Sequence, residues 1–467
     1  MNASDDLLRT TASITVGNVA SRITGFVRVL AIAAALGTTF LGNTYQTANL
    51  VSNILFELLA AGSLSLVLVP TFVGLVDAGR RDEAEHVAGA LLGLALAVLG
   101  AVTAVGIVAG PWIMRALTAA VANHAVRRQE IRLGTFFLAF FLPQVLLYAV
   151  GAVTTALLNG DRRFTAPAFA PVANNVVVTA TMVVYVVVRR SSHPGLDLST
   201  AERLVLAIGT TVGVLAMTAV PMIDAWRSGL RLRPRWDPHH PAVRSLGRPG
   251  AWAAAYVALN QLLIATTLVL ANAVAGGVVA YQIAYQFFLL PNAVVANPVF
   301  TALYPQLSAE AQDDRWHDFV ATLRRGIRLI ALGVVPATAG LIVLSRPVLH
   351  LMQLGDFNRS GATLTSRVIA AYAVGLLGYA CFQLLTRASY AIGDTRSPTL
   401  VNLGITAGGS LLMLALFAAA SGGQRVVNLG WAHSIAMTTG AVVLGMIVRA
   451  RVHHAPRRPA VGVEART

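Results

Sequence analysis

The sequence predicts an all-α, polytopic membrane protein with about twelve transmembrane helices arranged as two six-helix bundles. Of the 467 residues, 56% are hydrophobic and only 12% are charged, whereas a soluble domain carries about 25% charged residues. Apolar stretches long enough to cross a bilayer, about 20 residues each, recur along the whole chain. Features of the first half also return in the second half, which indicates a duplicated bundle.

Each predicted span is an apolar stretch bounded by polar or charged residues. The spans fall at 12–36, 44–76, 86–110, 132–157, 168–188, 203–225, 249–272, 278–307, 319–344, 365–390, 398–420 and 427–450. The second and eighth are long and contain or end in proline, at Pro70 in one and at Pro291, Pro298 and Pro305 in the other. We therefore expect kinks or tilt there. Segment 111–131 is too rich in arginine to span and is expected to hold a short interfacial helix.

All 35 basic residues are arginines, and their distribution sets the orientation. With the N-terminus inside, the cytoplasmic segments hold 22 of them, the opposite side holds 11, and two lie in the first span. Because cytoplasmic loops are enriched in positive charge, both termini are predicted to be cytoplasmic in a multi-pass protein of the cytoplasmic membrane. These loops also explain the net charge of +15, so no nucleic-acid partner is expected.

The boundary between the two bundles follows from one long polar loop near the middle of the chain. Residues 226–249 are rich in arginine and proline and poor in apolar side chains, which is typical of a linker at an anionic membrane surface. We predict a first six-helix bundle at 1–225, a cytoplasmic linker at 226–249, a second six-helix bundle at 250–450 and a basic cytoplasmic tail at 451–467.

Two pairs of short motifs relate the halves to each other. Tyr45-Gln46 in the second span matches Tyr281-Gln282 in the eighth. Gly-Asp-Arg-Arg at 160–163, after the fourth span, matches Gly-Asp-Thr-Arg at 393–396, after the tenth. Each half has an even number of spans, so both halves enter the membrane from the same side. The repeat is therefore parallel, with a pseudo-two-fold axis along the membrane normal, an architecture found in transporters.

Polar side chains within the spans are the candidate binding residues, because an ionised group at the bilayer centre costs about 2.5–3.5 kcal/mol and needs a partner or a cavity. In the second span they recur at helical spacing and form a stripe on one face. The candidate substrate-binding residues are Arg22, Arg28, Gln46, Asn49, Asn53, Glu57, Asn260, Gln261, Gln282 and Gln286. They favour a substrate with hydroxyls, amides and an anion, since a guanidinium binds phosphate through a planar fork of donors.

Structural explanations of the same residues stay open. Arg22 or Arg28 could pair with Glu57 inside the protein, Arg22 could extend to the interface, and the polar stripe could hold helices together. The chain contains no lysine and so has no phosphate-binding Gly-Lys-Ser/Thr loop. It also lacks the common hydrolase motifs, and Cys381 stands alone. We therefore predict a protein that is not an enzyme, with no catalytic residue, cofactor or metal site.

Four segments carry a family resemblance: SRITGFVRVL, FELLAAGSLSLVLVPTF, LNGDRRFTAPAFAPVANN and SYAIGDTRSPTLVN. Through them, over about 12–450, the chain resembles the MurJ/MviN lipid II flippases of the multidrug/oligosaccharidyl-lipid/polysaccharide exporter superfamily, in a form similar to the actinobacterial branch. The resemblance implies a MATE-like pair of bundles around a cationic cavity. It also implies movement of an undecaprenyl-pyrophosphate-linked peptidoglycan precursor, most directly lipid II, to the outer leaflet by alternating access, with Arg22 and Arg28 holding the pyrophosphate.

The chain departs from the family pattern in its candidate cavity. The family often has an Asp where this chain has Asn43, a basic pair near Phe56-Glu57, and an Asp-Arg pair where this chain has Tyr285-Gln286. It also typically has fourteen spans, the last two forming a groove for the lipid tail, whereas twelve are predicted here. We expect a less cationic cavity, and either a tail accommodated elsewhere or a different lipid-linked glycan as substrate.

Two other functions stay as hypotheses. A cation-coupled exporter of drugs or small molecules would need an acidic cavity residue, for which Glu57 is the strongest candidate and Asp224 a weaker one. A degenerate member would act as a non-transporting scaffold in a cell-wall synthesis complex and would tolerate the loss of Arg22 and Arg28. Such a complex and the membrane lipids are the expected partners besides the substrate.

Overall fold

The computed structural model describes residues 3–58, 72, 74, 75, 78–191, 193–237 and 250–453. Within these residues every regular element is helical, as the hydropathy pattern predicts. The elements are α1 (Ala3–Leu36), α2 (Phe40–Phe56), α3 (Arg81–Val108), α4 (Gly110–Leu117), α5 (His124–Phe141), α6 (Gln144–Gly160), α7 (Thr165–Val188), α8 (Thr200–Arg227), α9 (Gly250–Ala271), α10 (Gly277–Pro291), a π-helical turn (Asn292–Ala296), α11 (Asn297–Gln312), α12 (Trp316–Leu351), α13 (Arg359–Val374), α14 (Leu376–Ala391), α15 (Arg396–Ala418) and α16 (Gln424–His453).

The predicted spans coincide with helices wherever the structure describes them. Nine helical segments in the described part of the chain are long and apolar enough to cross a membrane, and α13 and α14, bent by 43° relative to each other, meet the same criterion only when taken together. The apolar part of α9, Ala255–Ala271, is shorter. The second predicted span begins in α2, while most of its remainder, including Pro70, lies outside the described residues. The prediction of about twelve transmembrane helices agrees with this arrangement.

Two irregular features expected from the sequence are present. Pro291 ends α10 and is followed directly by the π-helical turn, which is a common response of a helix to a lost backbone hydrogen bond. The arginine-containing segment 111–131 contains the short helix α4, whose Pro111 lies in the first turn, where a proline is tolerated. The expected short helix is therefore confirmed, and the eighth span is irregular at Pro291; a kink or tilt of that span and the position of α4 at the membrane interface stay predictions.

Side-chain caps explain where several helices begin. The Ser199 hydroxyl accepts a hydrogen bond from the Glu202 N–H at the start of α8, while the Glu202 carboxylate accepts one from the Ser199 N–H at 2.6 Å. The Asn123 side chain accepts hydrogen bonds from Ala125 N–H and Val126 N–H at the start of α5. Such caps satisfy backbone donors that have no partner within the helix.

The described chain forms two compact units. The first comprises Met1–Ile283, Pro347–Thr365 and Ala420–Val426, and the second comprises Ala284–Arg346, Ser366–Ala419 and Val427–Thr467. The predicted bundle boundaries at 225 and 250 stay a prediction, and 238–249 and 454–467, most of the predicted linker and tail, lie outside the described residues.

The described start of the linker packs along α3 in the first unit. The Arg235 N–H donates a hydrogen bond to the Gly89 carbonyl at 2.8 Å, and the Arg231 N–H donates one to the Glu85 carboxylate at 3.0 Å. Leu230 belongs to a buried apolar cluster together with residues of α3 and α6. A Cβ at Gly89 or Gly93 would overlap this segment, so glycine is what allows the close approach.

Both repeated loop motifs hold helix ends together through ion pairs between aspartate and arginine. In the first unit, Asp161 pairs with Arg81 at the start of α3, and Arg163 donates to Asp224 at the end of α8, at 2.9 Å. This hydrogen bond raises the pKa of Arg163. In the second unit, the buried Asp394 pairs with Arg451 at 3.1 Å and accepts hydrogen bonds from backbone N–H groups at the start of α15. Each motif Asp thus forms an ion pair that holds two helix ends together.

Candidate functional site

The first helix is held closely against α7 over the segment that precedes the predicted arginine pair. A Cβ at Gly17 would lie 2.9 Å from the Ala168 Cβ, so the helices meet at a glycine. Asn175, the last residue of the family segment LNGDRRFTAPAFAPVANN, donates hydrogen bonds from its amide to the Ser21 carbonyl and to the Thr24 hydroxyl, both at 3.1 Å. Because small residues and amides favour such helix contacts in membranes, this segment positions α1.

The two arginines of α1 differ in their surroundings. Arg22 is exposed, whereas Arg28 is half-buried and its Nε has no hydrogen-bond partner among the described residues. Among the described residues, Arg28 interacts electrostatically with the phenols of Tyr45 and Tyr148. No ion pair joins either arginine to Glu57 within the described part of the chain, so the internal Arg–Glu pair left open by the sequence is not observed. Arg28 therefore lacks a carboxylate partner among the described residues.

The polar stripe of α2 changes from buried to exposed along the helix. Gln46 is only 7% exposed, Asn49 and Asn53 are half-buried, and Glu57 is exposed. A stripe that served only helix packing would be buried over its whole length. This gradient favours a polar face that enters an accessible space at the Glu57 end.

The buried half of α2 is fixed by contacts that the sequence did not reveal. The Asn43 amide donates to the Val274 carbonyl at 2.8 Å and accepts from the Val278 N–H at 3.0 Å. Thr47 and Asn272 lie within hydrogen-bond distance of each other, with contacts at 3.0 and 3.2 Å. α2 is therefore anchored to the 272–278 turn at the end that carries Gln46.

A small cavity in the first unit adjoins the exposed end of the stripe. It has a volume of about 360 Å³ and is lined by residues of α2, α6, α7 and α8, among them Phe56, Tyr148, Asn159 and Thr218. Tyr148 was not predicted as a site residue, although it is the only hydroxyl-bearing aromatic residue in the fourth predicted span. Its ring packs on Phe56 with a centroid separation of 5.3 Å. The cavity is too small for a lipid, and none of the predicted site residues lines it.

The remaining predicted residues divide between the units. Asn260 and Gln261 on α9 and Gln282 on α10 are half-buried in the first unit, together with the α1 and α2 candidates. Gln286 is half-buried and belongs to the second unit. The nine candidates of the first unit are hereafter called the first-unit site: Arg22, Arg28, Gln46, Asn49, Asn53, Glu57, Asn260, Gln261 and Gln282.

Two acidic residues, Asp224 and Glu57, are the candidates for cation coupling. Asp224, the weaker candidate for cation coupling, is held by Arg163. Among the described residues no group of three or more His, Cys, Asp or Glu side chains is arranged to hold a metal ion. Glu57 is the carboxylate of the first-unit site, and it forms no ion pair within the described chain.

The fold and the polar residues within the spans together define a class of protein. A helical membrane protein with about twelve spans and with arginine and amide side chains inside its first two spans has the features of a polytopic membrane transporter. A family model described as "Lipid II flippase MurJ" matches residues 32–461. The chain belongs to this family.

Curated relatives agree with the family model. The chain is 25% identical over 436 residues to a probable lipid II flippase MurJ of Rhizobium meliloti (strain 1021), covering 92% of this chain and 79% of the relative. It is 24% identical over 402 residues to the lipid II flippase MurJ of Burkholderia cenocepacia, covering 86% of this chain and 76% of the relative.

Solved structures share the fold. A lipid II flippase MurJ in an inward closed conformation matches with a TM-score of 0.75 at 19% identity, over 93% of this chain and 87% of that chain. An inward-facing multidrug resistance MATE family transporter of the MOP superfamily matches with a TM-score of 0.73 at 12% identity, over 92% and 94%. The MATE-like architecture implied by the sequence is confirmed.

Proposed function

We propose that this protein moves a lipid-linked cell-wall precursor, most directly lipid II, across the cytoplasmic membrane by alternating access. Family membership supports the flippase activity, and the named activity of the curated relatives supports lipid II as the substrate. Both termini face the cytoplasm in this proposal, in accordance with the arginine distribution. A cell-wall synthesis complex is its proposed partner.

The proposal rests mainly on the position of Arg28 within a membrane span and on its lack of a carboxylate partner among the described residues. Its guanidinium lies inside a membrane span, is half-buried and has no carboxylate partner among the described residues. An unpaired ionised group in this position is costly, and a phosphate oxygen would supply the missing acceptor through a charge-assisted hydrogen bond. We assign Arg28 to the pyrophosphate, with the exposed Arg22 one to two turns away as the first contact.

The other members of the first-unit site fit the neutral part of such a substrate. Asn49 and Asn53 are half-buried on the exposed side of the α2 stripe, and amides both donate to and accept from sugar hydroxyls and peptide groups. Gln46, Asn260, Gln261 and Gln282 would extend this amide-rich surface. No covalent chemistry is required of any of these residues, because the reaction is movement of an intact lipid.

The activity is tested by reconstituting the full chain into liposomes with fluorescent lipid II. Transfer between leaflets is followed as the loss of fluorescence to a membrane-impermeant quencher. Wild type is compared with Arg22→Ala/Arg28→Ala and with Arg324→Ala/Arg325→Ala, which removes the same charge at two exposed arginines. We expect transfer by wild type and by the second variant only; absence of transfer by wild type would overturn the proposal.

A cation-coupled exporter of small molecules is the second candidate, and the exposure of Glu57 favours it. Glu57 is exposed and has no recorded ion pair in the described chain, so it could bind and release a cation. This function predicts that Glu57→Gln abolishes efflux of a cationic dye from cells while lipid II transfer is unchanged. Lipid II transfer by wild type without dye efflux would exclude it.

A further inference from the structure

A carboxyl group outside the first-unit site is buried and has no basic partner among the described residues. Glu130 lies on α5 and is 0% exposed. Its Oε1 is 3.3 Å from the Thr44 hydroxyl on α2, and its Oε2 has no hydrogen-bond partner among the described residues. An ionised carboxylate in such surroundings would be strongly destabilised, because burial removes its hydration and nothing replaces it.

The hydrogen-bond geometry of the Thr44 hydroxyl favours the protonated form of Glu130. A threonine hydroxyl has one proton to donate, and the Thr44 hydroxyl lies closer to the Phe40 carbonyl, at 2.8 Å, than to Glu130. The carbonyl can only accept, so the Thr44 proton belongs to it. Thr44 can therefore give Glu130 only the longer branch of a shared hydrogen bond, whereas a protonated Glu130 would donate a full hydrogen bond to the hydroxyl oxygen.

Other buried carboxylates of the described chain provide the contrast. Glu202 accepts hydrogen bonds from two backbone N–H groups. Asp394 accepts two as well and pairs with Arg451. Glu310 accepts from the Gln306 amide and from the Thr322 hydroxyl, both at 2.8 Å. Each of these groups accepts hydrogen bonds from two donors, whereas among the described residues Glu130 has only the Thr44 hydroxyl, which it shares with the Phe40 carbonyl.

Charged groups near this end of α5 do not compensate Glu130. The titratable and charged side chains at this end of the surrounding helices are Tyr45 on α2, Arg115 on α4, His124, Arg127, Arg128 and Arg132 on α5, and Glu202 and Arg203 on α8. None of them forms an ion pair with Glu130 within the described chain, and Tyr45 bonds to Thr210 at 2.7 Å. Arg127 donates to the Arg115 carbonyl instead. A neutral acid is the form that this environment supports.

We propose that Glu130 is a proton-binding site of the transport cycle, protonated while α2 and α5 are packed together and ionised when they separate. The inference rests on the proposed function, because α2 also carries the polar stripe of the first-unit site. Separation would hydrate the carboxyl group, and the proton would pass to water; no other bond changes. Proton release would then favour the separated arrangement, and proton uptake would favour the packed one.

The proton itself is tested without any transport measurement. Infrared difference spectra of the full-length protein between mildly acidic and alkaline buffer report the C=O stretch of a protonated carboxyl group. We expect a band in wild type that is absent from Glu130→Gln and present in Glu310→Gln, whose carboxylate has its own donors. In Thr44→Val the band should persist at a shifted frequency, because its hydrogen-bond acceptor is lost. A band unaffected by Glu130→Gln and by Thr44→Val would overturn the assignment.

The link to transport is tested by the pH dependence of lipid II transfer in the liposomes. Glutamine donates to Thr44 as the neutral acid does, but cannot ionise, so Glu130→Gln should fold and lose the pH dependence that wild type and Glu310→Gln retain. Equal pH dependence in Glu130→Gln would overturn the role in transport. If wild type transfers no lipid II, the proposed function fails, and the infrared result still decides whether Glu130 holds a proton.

Discussion

Asn43 holds the backbone at Val278 through an amide that donates on one side and accepts on the other. The side chain is completely buried, donates to the Val274 carbonyl and accepts from the Val278 N–H. A carboxylate could make only the second of these hydrogen bonds and would face the Val274 carbonyl oxygen with its own negative oxygen. The chain therefore has a structural reason for an amide at the position where the family often has an acid.

Asn43→Asp is predicted to destabilise the protein. Loss of one buried hydrogen bond and repulsion at the carbonyl should lower the free energy of unfolding by about 1–3 kcal/mol, measured as a lower thermal unfolding midpoint in detergent. Asn123→Asp is the matched control, because Asn123 only accepts hydrogen bonds at a helix start and an acid is favourable there. Equal stability of the two variants would contradict this account of Asn43.

Gly93→Ala is predicted to release the start of the linker from α3. An added methyl group would overlap the Arg235 carbonyl, and overpacking of this kind costs about 1–3 kcal/mol. Trypsin cleavage after Arg231 or Arg235 should become about tenfold faster, since proteolysis follows the population of the detached segment. Gly100→Ala on the same helix meets no atom within 4 Å and should cleave like wild type; a similar rate in both variants would show that the packing is unimportant.

Asp394→Ala is predicted to be more destabilising than Arg451→Ala, although the two side chains form one ion pair. The Asp394 side chain is 3% exposed and also accepts from two N–H groups at the start of α15, whereas that of Arg451 is 50% exposed. Losing the acid should cost about 1–3 kcal/mol, and losing the arginine at most about 1 kcal/mol. Thermal unfolding of the two single variants checks the order, and a larger effect of Arg451→Ala would reverse the assignment.

The spans could be predicted from the sequence because hydropathy and length act locally. Helices α1 and α7 end where the predicted apolar runs end, at Leu36 and Val188, and α15 lies close to its predicted run, whereas α1 begins earlier than predicted, at Ala3. The break after Pro291 was expected from the proline alone. The repeated Gly-Asp motifs were also visible, since each lies within a few residues of chain. The ion pairs that these motifs form could not be predicted, because Arg81 and Arg451 lie far from their partners in sequence.

The candidate site could be predicted only in part. Arg28 and the α2 stripe stand out as polar residues in apolar spans, but the partners of Asn43 lie 231 and 235 residues away, and no local pattern predicts such a contact. Glu130 was missed for a related reason. It lies in a segment with Arg127, Arg128 and Arg132, which reads as solvated surface, and only the packing of α2 against α5 buries it.

The central claim is that Arg22 and Arg28 hold the pyrophosphate of a lipid-linked precursor. Native mass spectrometry of the purified protein tests it directly, with lipid II, another undecaprenyl-pyrophosphate glycan and an anionic phospholipid offered in turn. Wild type and Arg324→Ala/Arg325→Ala should retain lipid II in preference to phospholipid, and Arg22→Ala/Arg28→Ala should lose that preference. Undiminished retention of lipid II by Arg22→Ala/Arg28→Ala would contradict the claim.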